Sequence, residues 1–155
     1  MTPKRNRAPR VLAISSGGGH WVQLRRLAPA FDGSEVVFAT VDRSAAQSVA
    51  PARVYLYPDA NKDQKLRLVL ASLRIAWILL LVRPDVVVST GAAGGFLAIA
   101  IGRFFGIRGL FIDSIANARE LSVSARLATR VTDQVLTQWP GVAASSAARF
   151  RGAVL

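Results

Sequence analysis

Cysteine is absent from the 155-residue chain, which excludes a disulfide framework, a thiolate metal site and a cysteine nucleophile. Histidine occurs once, at His20, and no Asp-x-Asp appears, so the ligands of a typical protein metal site are missing from the sequence. Acidic residues are scarce: 9 Asp and Glu stand against 20 Lys and Arg, a net charge of +11. That balance favours a polyanionic partner, such as nucleic acid, anionic lipid headgroups or a phosphorylated substrate. Charge of either sign is low at 19%, while 52% of residues are hydrophobic. The apolar excess has to be buried in a core, at a partner interface or against lipid. The opening stretch is basic and polar (Lys4, Arg5, Arg7, Arg10), and no apolar run with a cleavage site follows. No secretory signal is therefore expected, and the chain reads as cytosolic.

What is present is an alternation of short apolar runs with longer helical patterns. Strands are expected at Arg10–Ser15, Glu35–Thr40, Val54–Leu56, Asp85–Ser89, Leu110–Asp113 and Gln134–Thr137. Helices are expected at Val22–Phe31, Lys62–Val82, Gly95–Phe105 and Arg119–Val131, with a weaker one near Ser44–Val49. Continuous Val/Ile/Leu runs separated by helices predict an α/β fold, a Rossmann-like parallel sheet with helices on both faces. No repeat or linker is visible. The expected organisation is a basic flexible arm over 1–9 and a single Rossmann-like domain over 10–155. The Ala/Ser-rich stretch Val142–Ala148 fits neither period.

Leu66–Val82 is apolar around most of its circumference, with a narrow polar stripe expected at Asp63, Arg67, Ala71 and Arg74. It is barely long enough to span a bilayer and contains two arginines, which excludes a transmembrane helix. Two readings remain open. The helix is a core element between sheet and partner, or it lies in a membrane interface. In the second case Arg67 and Arg74 meet lipid phosphates while Trp77, Ile78 and Leu81 face the acyl boundary.

Two glycine clusters carry the chemistry. Ser15-Ser16-Gly17-Gly18-Gly19-His20 lies between the first strand and first helix, and Ser89-Thr90-Gly91-Ala92-Ala93-Gly94-Gly95 between the fourth strand and its helix. Glycine lets a backbone turn sharply and approach a ligand, while a helix N-terminus offers free N–H groups to an anion. Neither cluster is a G-x-G-x-x-G or a P-loop. In a parallel sheet both fall at the carboxyl edge, where two such loops suit a diphosphate. His20 is read as a ligand contact or general base in preference to a cap. Asp113 ends the fifth strand at the same edge, either as a helix cap or as an acidic group that takes or orients a proton. Ser114, Asn117 and Arg119 follow it, Arg119 being a candidate phosphate partner. Arg126 and Arg130 read as a solvated face. Trp77 and Trp139 read as packing or interface residues, and Trp21 as a wall of the acceptor pocket.

Taken together, S-S-G-G-G-H-W-V-Q-L at 15–24, P-D-V-V-V-S-T-G-A at 84–92, F-I-D-S at 111–114 and T-Q-W-P at 137–140 resemble the acceptor-binding subunit of split glycosyltransferases. Its eukaryotic form is the membrane-anchoring subunit of the two-chain N-acetylglucosaminyltransferase of N-glycan assembly, and bacterial forms serve exopolysaccharide synthesis. More distantly, the motifs are similar to the N-terminal half of the enzyme that converts lipid I to lipid II. The resemblance implies the N-terminal half of a GT-B fold, and an inverting UDP-sugar-dependent transfer with no tightly bound metal or cofactor. It also implies a lipid-diphosphate-linked saccharide as acceptor and a small donor-binding subunit as partner. Activity would then need that second chain, and the location would be peripheral, on the cytoplasmic face of an anionic membrane. On this resemblance Gly17, Gly18, Gly19 and His20 match the first loop, and Thr90, Gly91 and Gly94 the second. Asp113 stands where relatives carry Glu. No counterpart of the eukaryotic subunit's transmembrane anchor is expected, so membrane attachment would rest on Lys62–Val82 and the basic surface. Glu35 and Glu120, the two glutamates, are too far apart for the paired-Glu signature of donor domains. The rival reading is a non-catalytic basic Rossmann-like module for nucleotide or nucleic acid. Scattered basic residues and the absence of a nucleic-acid motif speak against it. A dinucleotide-dependent oxidoreductase lacks its glycine signature and ribose-binding acid.

Overall fold

A computed structural model of the chain describes residues 7–61 and 63–154. Its strands are β1 (Arg10–Ile14), β2 (Glu35–Thr40), β3 (Arg53–Leu56), β4 (Val86–Ser89), β5 (Arg108–Ile112), β6 (Val135–Thr137) and β7 (Arg149–Phe150). They form one parallel sheet in the order β3-β2-β1-β4-β5-β6-β7. The helices are α1 (Gly19–Arg26), α2 (Arg43–Ala46), α3 (Lys65–Val82), α4 (Ala92–Phe104), α5 (Val123–Ala128) and α6 (Pro140–Ala144). The expected Rossmann-like α/β class is borne out. From β1 the chain winds outward to β3, then returns to lay β4 on the other side of β1. The crevice between β1 and β4 is thus the switch point at which ligands bind in open α/β sheets.

Each sheet face has its own core. Leu12, Ile14, Val37, Val87 and Phe111 pack beneath α3, α4 and α5. Val11, Ala13, Phe38, Val88 and Ile112 pack against Trp21 and Leu24 of α1 and against Phe31. Alternate residues of the central strands therefore point to opposite cores, which is why those strands read as unbroken apolar runs.

Several boundaries differ from expectation for identifiable reasons. The first helix stops at Arg26 and the chain continues as a 3₁₀ turn over Ala28–Phe31, with Pro29 unable to extend the α-helical hydrogen bonding. The helix expected over Arg119–Val131 begins only at Val123, where Ser122 caps it by accepting from the Ala125 N–H at 3.0 Å. The second glycine cluster enters its helix at Ala92, three residues before the expected start. Edge strand β7 is two residues long, too short to show a period, and falls just after the unclassified Val142–Ala148. Of the expected arm over 1–9, residues 7–9 are described. Arg7 pairs with Asp85 at 3.1 Å, and the Pro9 carbonyl accepts from the Glu35 N–H at 2.8 Å.

α3 is apolar on two sides. Ala71, Ile75, Ile78, Leu79 and Val82 are buried against the sheet and α4. Ala71 therefore belongs to the inner stripe and not to a polar one. Leu66, Leu70, Leu73, Trp77 and Leu80 form a second, exposed apolar stripe at helical spacing. Ile78 is fully buried, so of the three expected membrane-facing residues only Trp77 and Leu81 lie on the open side. Arg67 is exposed. Arg74 donates to the Leu56 carbonyl at 3.0 Å and stacks over the Trp77 ring at 4.5 Å. Among the described residues, no helix is long and apolar enough to cross a membrane.

Candidate functional site

Both glycine loops end at the β1/β4 switch point, and two hydrogen bonds lock them together. The Thr90 hydroxyl donates to the His20 carbonyl at 2.6 Å, and His20 Nδ1 lies 3.0 Å from the Thr90 carbonyl. A carbonyl oxygen can only accept, so Nδ1 carries the proton. In the neutral ring Nε2 then keeps its lone pair. His20 is half-buried, and Thr90 is fully buried. The imidazole leans on Gly91, whose φ of 135° and missing Cβ leave the ring its space.

Both helices that open here have glycine N-caps, Gly18 for α1 and Gly91 for α4. Neither has a side-chain cap or an acidic residue in its first turn. Their leading N–H groups are thus left for a ligand or water, and the helix dipoles favour an anion there. Gly18 and Gly19 are exposed and have nothing within 4 Å of a would-be Cβ, whereas a Cβ on Gly17 would lie 3.4 Å from the Asp42 Cβ. Gly94 is different, because the Tyr57 phenol occupies the space its Cβ would need.

Asp113 reaches the same edge at the end of β5 but is turned inward and only 1% exposed. Its carboxylate accepts from the Ser114 N–H at 3.0 Å, the Asn117 amide at 2.9 Å and the Ser122 N–H at 2.9 Å. This is the capping alternative in a stronger form, with one carboxylate folding the whole 113–122 loop. Asn117 is committed to Asp113 through that bond. Ser114 is buried and accepts from Gln23 at 3.2 Å. Arg119 stands exposed on the loop.

Trp21 does not line an open pocket. It is buried beneath α1, edge-on to Phe38 at 5.7 Å, with its indole N–H on Ser48 at 3.0 Å. Trp139 is partly exposed and donates to the Ile115 carbonyl at 2.7 Å. Residues that sequence reasoning passed over hold the two halves of the site together. Gln138 donates to Gln23 Oε1 and to the Asp113 carbonyl, each at 2.9 Å. With the Gln23–Ser114 bond, this ties α1 to the ends of β5 and β6. The available signal was a polar residue on the inward stripe of a short amphipathic helix, since Gln23 sits between the buried Trp21 and Leu24. Among the described residues, no group of His, Asp and Glu could hold a metal ion.

No protein-family model matches the chain, and no curated protein matches it. Solved structures do match in fold. MurG of Acinetobacter baumannii superposes with a TM-score of 0.73 at 14% identity, over 86% of this chain and 43% of that one. A putative UDP-N-acetylglucosamine 2-epimerase of Listeria monocytogenes gives 0.63 at 14% identity, over 86% and 40%. A glycosyltransferase of Rickettsia africae gives 0.60 at 11% identity, over 86% and 37%. The chain shares the Rossmann-like fold of one part of these proteins and spans about two fifths of their length.

Proposed function

We propose that the chain is the acceptor-binding half of an inverting, UDP-sugar-dependent glycosyltransferase that extends a lipid-diphosphate-linked saccharide. The observation that carries this reading is the His20–Thr90 lock. It holds an imidazole with a free Nε2 between two uncapped helix N-termini at the switch point. The helix termini suit the acceptor's diphosphate, and Nε2 suits the proton of the attacking hydroxyl. In the reaction the acceptor oxygen bonds to the anomeric carbon as that carbon's bond to the UDP oxygen breaks. The hydroxyl proton passes to Nε2 and UDP leaves with the electron pair. Such chemistry needs positioned groups and electrostatic stabilisation. The donor nucleotide belongs to a second domain, which we assign to a separate small subunit. The similarity in fold to one part of MurG and of the Rickettsia glycosyltransferase supports reading this domain as one half of such an architecture.

The open stripe of α3, with Arg67 and Arg74 beside Trp77 and Leu81, is assigned to the cytoplasmic surface of an anionic membrane carrying the acceptor. The test of the whole reading is sugar transfer by the complex reconstituted with its donor subunit. His20→Ala should lower turnover about 10²–10⁴-fold with UDP-sugar binding intact. Asp113→Asn, which disturbs a loop-holding carboxylate, should show as lost stability first. Near-normal turnover of the His20→Ala complex would remove His20 from the reaction and the proposal with it.

A further inference from the structure

Among the described residues one buried side-chain polar atom lacks a hydrogen-bond partner: the hydroxyl of Tyr57, just after β3. Tyr57 is 5% exposed. Its Cε2 and hydroxyl each lie 2.5 Å from where a Cβ on Gly94 would be, so the phenol is pressed against the first turn of α4. A small cavity opens at this point between Ser16, Tyr57, Asp59, Ala71, Ala92 and Gly94. It has room for a group of about one water's size.

Leaving a buried hydroxyl unpartnered costs stability, and folded proteins rarely tolerate it without a reason. The surroundings supply one. The first turn of α4, against which the phenol lies at Gly94, has no side-chain cap and no acid, so its leading N–H groups are left for an acceptor. The phenol and this turn together offer donors that an oxyanion would match, although Asp59 also borders the cavity.

We propose that the Tyr57 hydroxyl is a ligand contact, donating a hydrogen bond to a phosphate oxygen seated on the first turn of α4. The inference rests on the reading that this sheet edge holds a diphosphate, and it adds the loop after β3 as a third wall of that site. Burial, and then the Asp59 carboxylate, raise the Tyr57 pKa above the ordinary phenol value. The group therefore keeps its proton and stays a donor at neutral pH. Asp59 itself is exposed, where water and salt screen its repulsion of an anion.

The experiment uses inorganic pyrophosphate as the probe, titrated calorimetrically into the full chain and its Tyr57→Phe variant, with melts of both. Pyrophosphate should bind the variant about tenfold more weakly. Without the probe the variant's Tm should be unchanged or raised, because phenylalanine leaves no buried donor unpaired. Equal affinities would overturn this inference alone. A lowered Tm without probe would also overturn it, since the hydroxyl would then have a partner within the protein. Wild-type protein that binds no pyrophosphate would overturn the diphosphate reading of the glycine loops, and this inference with it.

Discussion

The two glycine loops look alike in sequence and are built for opposite purposes. At the first loop, Gly18 and Gly19 are exposed, with no neighbouring atom near a would-be Cβ. At the second, Gly91, Gly94 and Gly95 are buried, and each gives its Cβ space to a neighbour: His20, Tyr57 and Ser89 in turn. The first loop is glycine-rich and open toward solvent, and Gly18 sits at a φ of 63° that side chains rarely adopt. The second is glycine-rich where His20 and Tyr57 from distant parts of the chain, and Ser89 of the same segment, lean on it. A glycine cluster at the carboxyl edge of a sheet is therefore not by itself a backbone cradle. In this protein the glycines Gly18 and Gly19 of one cluster face solvent, while those of the other are packed against side chains.

The contrast can be broken most severely at Gly91. A methyl group there collides with the His20 imidazole and strains a backbone at φ 135°. On the proposed function, Gly91→Ala should lower sugar-transfer turnover by about 10²-fold or more, approaching the loss of His20 itself. Retained turnover would show that the imidazole does not depend on the second loop. Gly95→Ala comes next, because the Ser89 hydroxyl side chain already fills the required space. We expect about 1–3 kcal/mol of destabilisation in denaturant unfolding, the range of an overpacked core.

A third effect belongs to Tyr57, whose folded-state pKa is raised by burial and by Asp59. Its neutral form is favoured by folding, so its contribution is fully present below the unfolded phenol value of about 10 and is lost above it. Wild-type stability relative to Tyr57→Phe should fall by about 1.4 kcal/mol per pH unit above about pH 10. Parallel pH profiles for the two proteins would refute the assignment. The smallest effect on stability is expected at the open loop. Gly19→Ala should stay within about 0.5 kcal/mol of wild type while raising the acceptor KM with little change in kcat. Gly18 is a poorer test, since its positive φ would add strain unrelated to the ligand.

How far the sequence was legible follows from the range of the forces involved. β2 matches the sequence expectation to the residue, because its apolar run over 36–39 is bounded by Glu35 and Thr40. The helix expected after β5 is longer than the observed one because its start is set by the Ser122 cap, which is itself held by the Asp113 carboxylate nine residues away. Asp113 was left between two readings for the same reason, as no local pattern reveals where a carboxylate's acceptor capacity goes. Ile78 was placed on the open face of α3 because a helix apolar all round gives no direction. Only the packing of α4 and the sheet selects which side is inward.

The sequence alone determined the alternation of strands and helices, the parallel sheet it entails, and the delivery of both glycine loops and His20 to one edge. These follow from short-range periodicity and from the geometry of β-α connections. Tertiary structure alone decided which glycines are open and which are leaned upon. It also decided that His20 Nδ1 is held by Thr90, that Trp21 is core, and that Tyr57 reaches α4 with its hydroxyl unpaired. His20 and Thr90 are 70 positions apart in the chain and become neighbours only because β4 pairs directly with β1. Contacts of that kind depend on which strands are adjacent, and adjacency is fixed by the packing of the whole sheet.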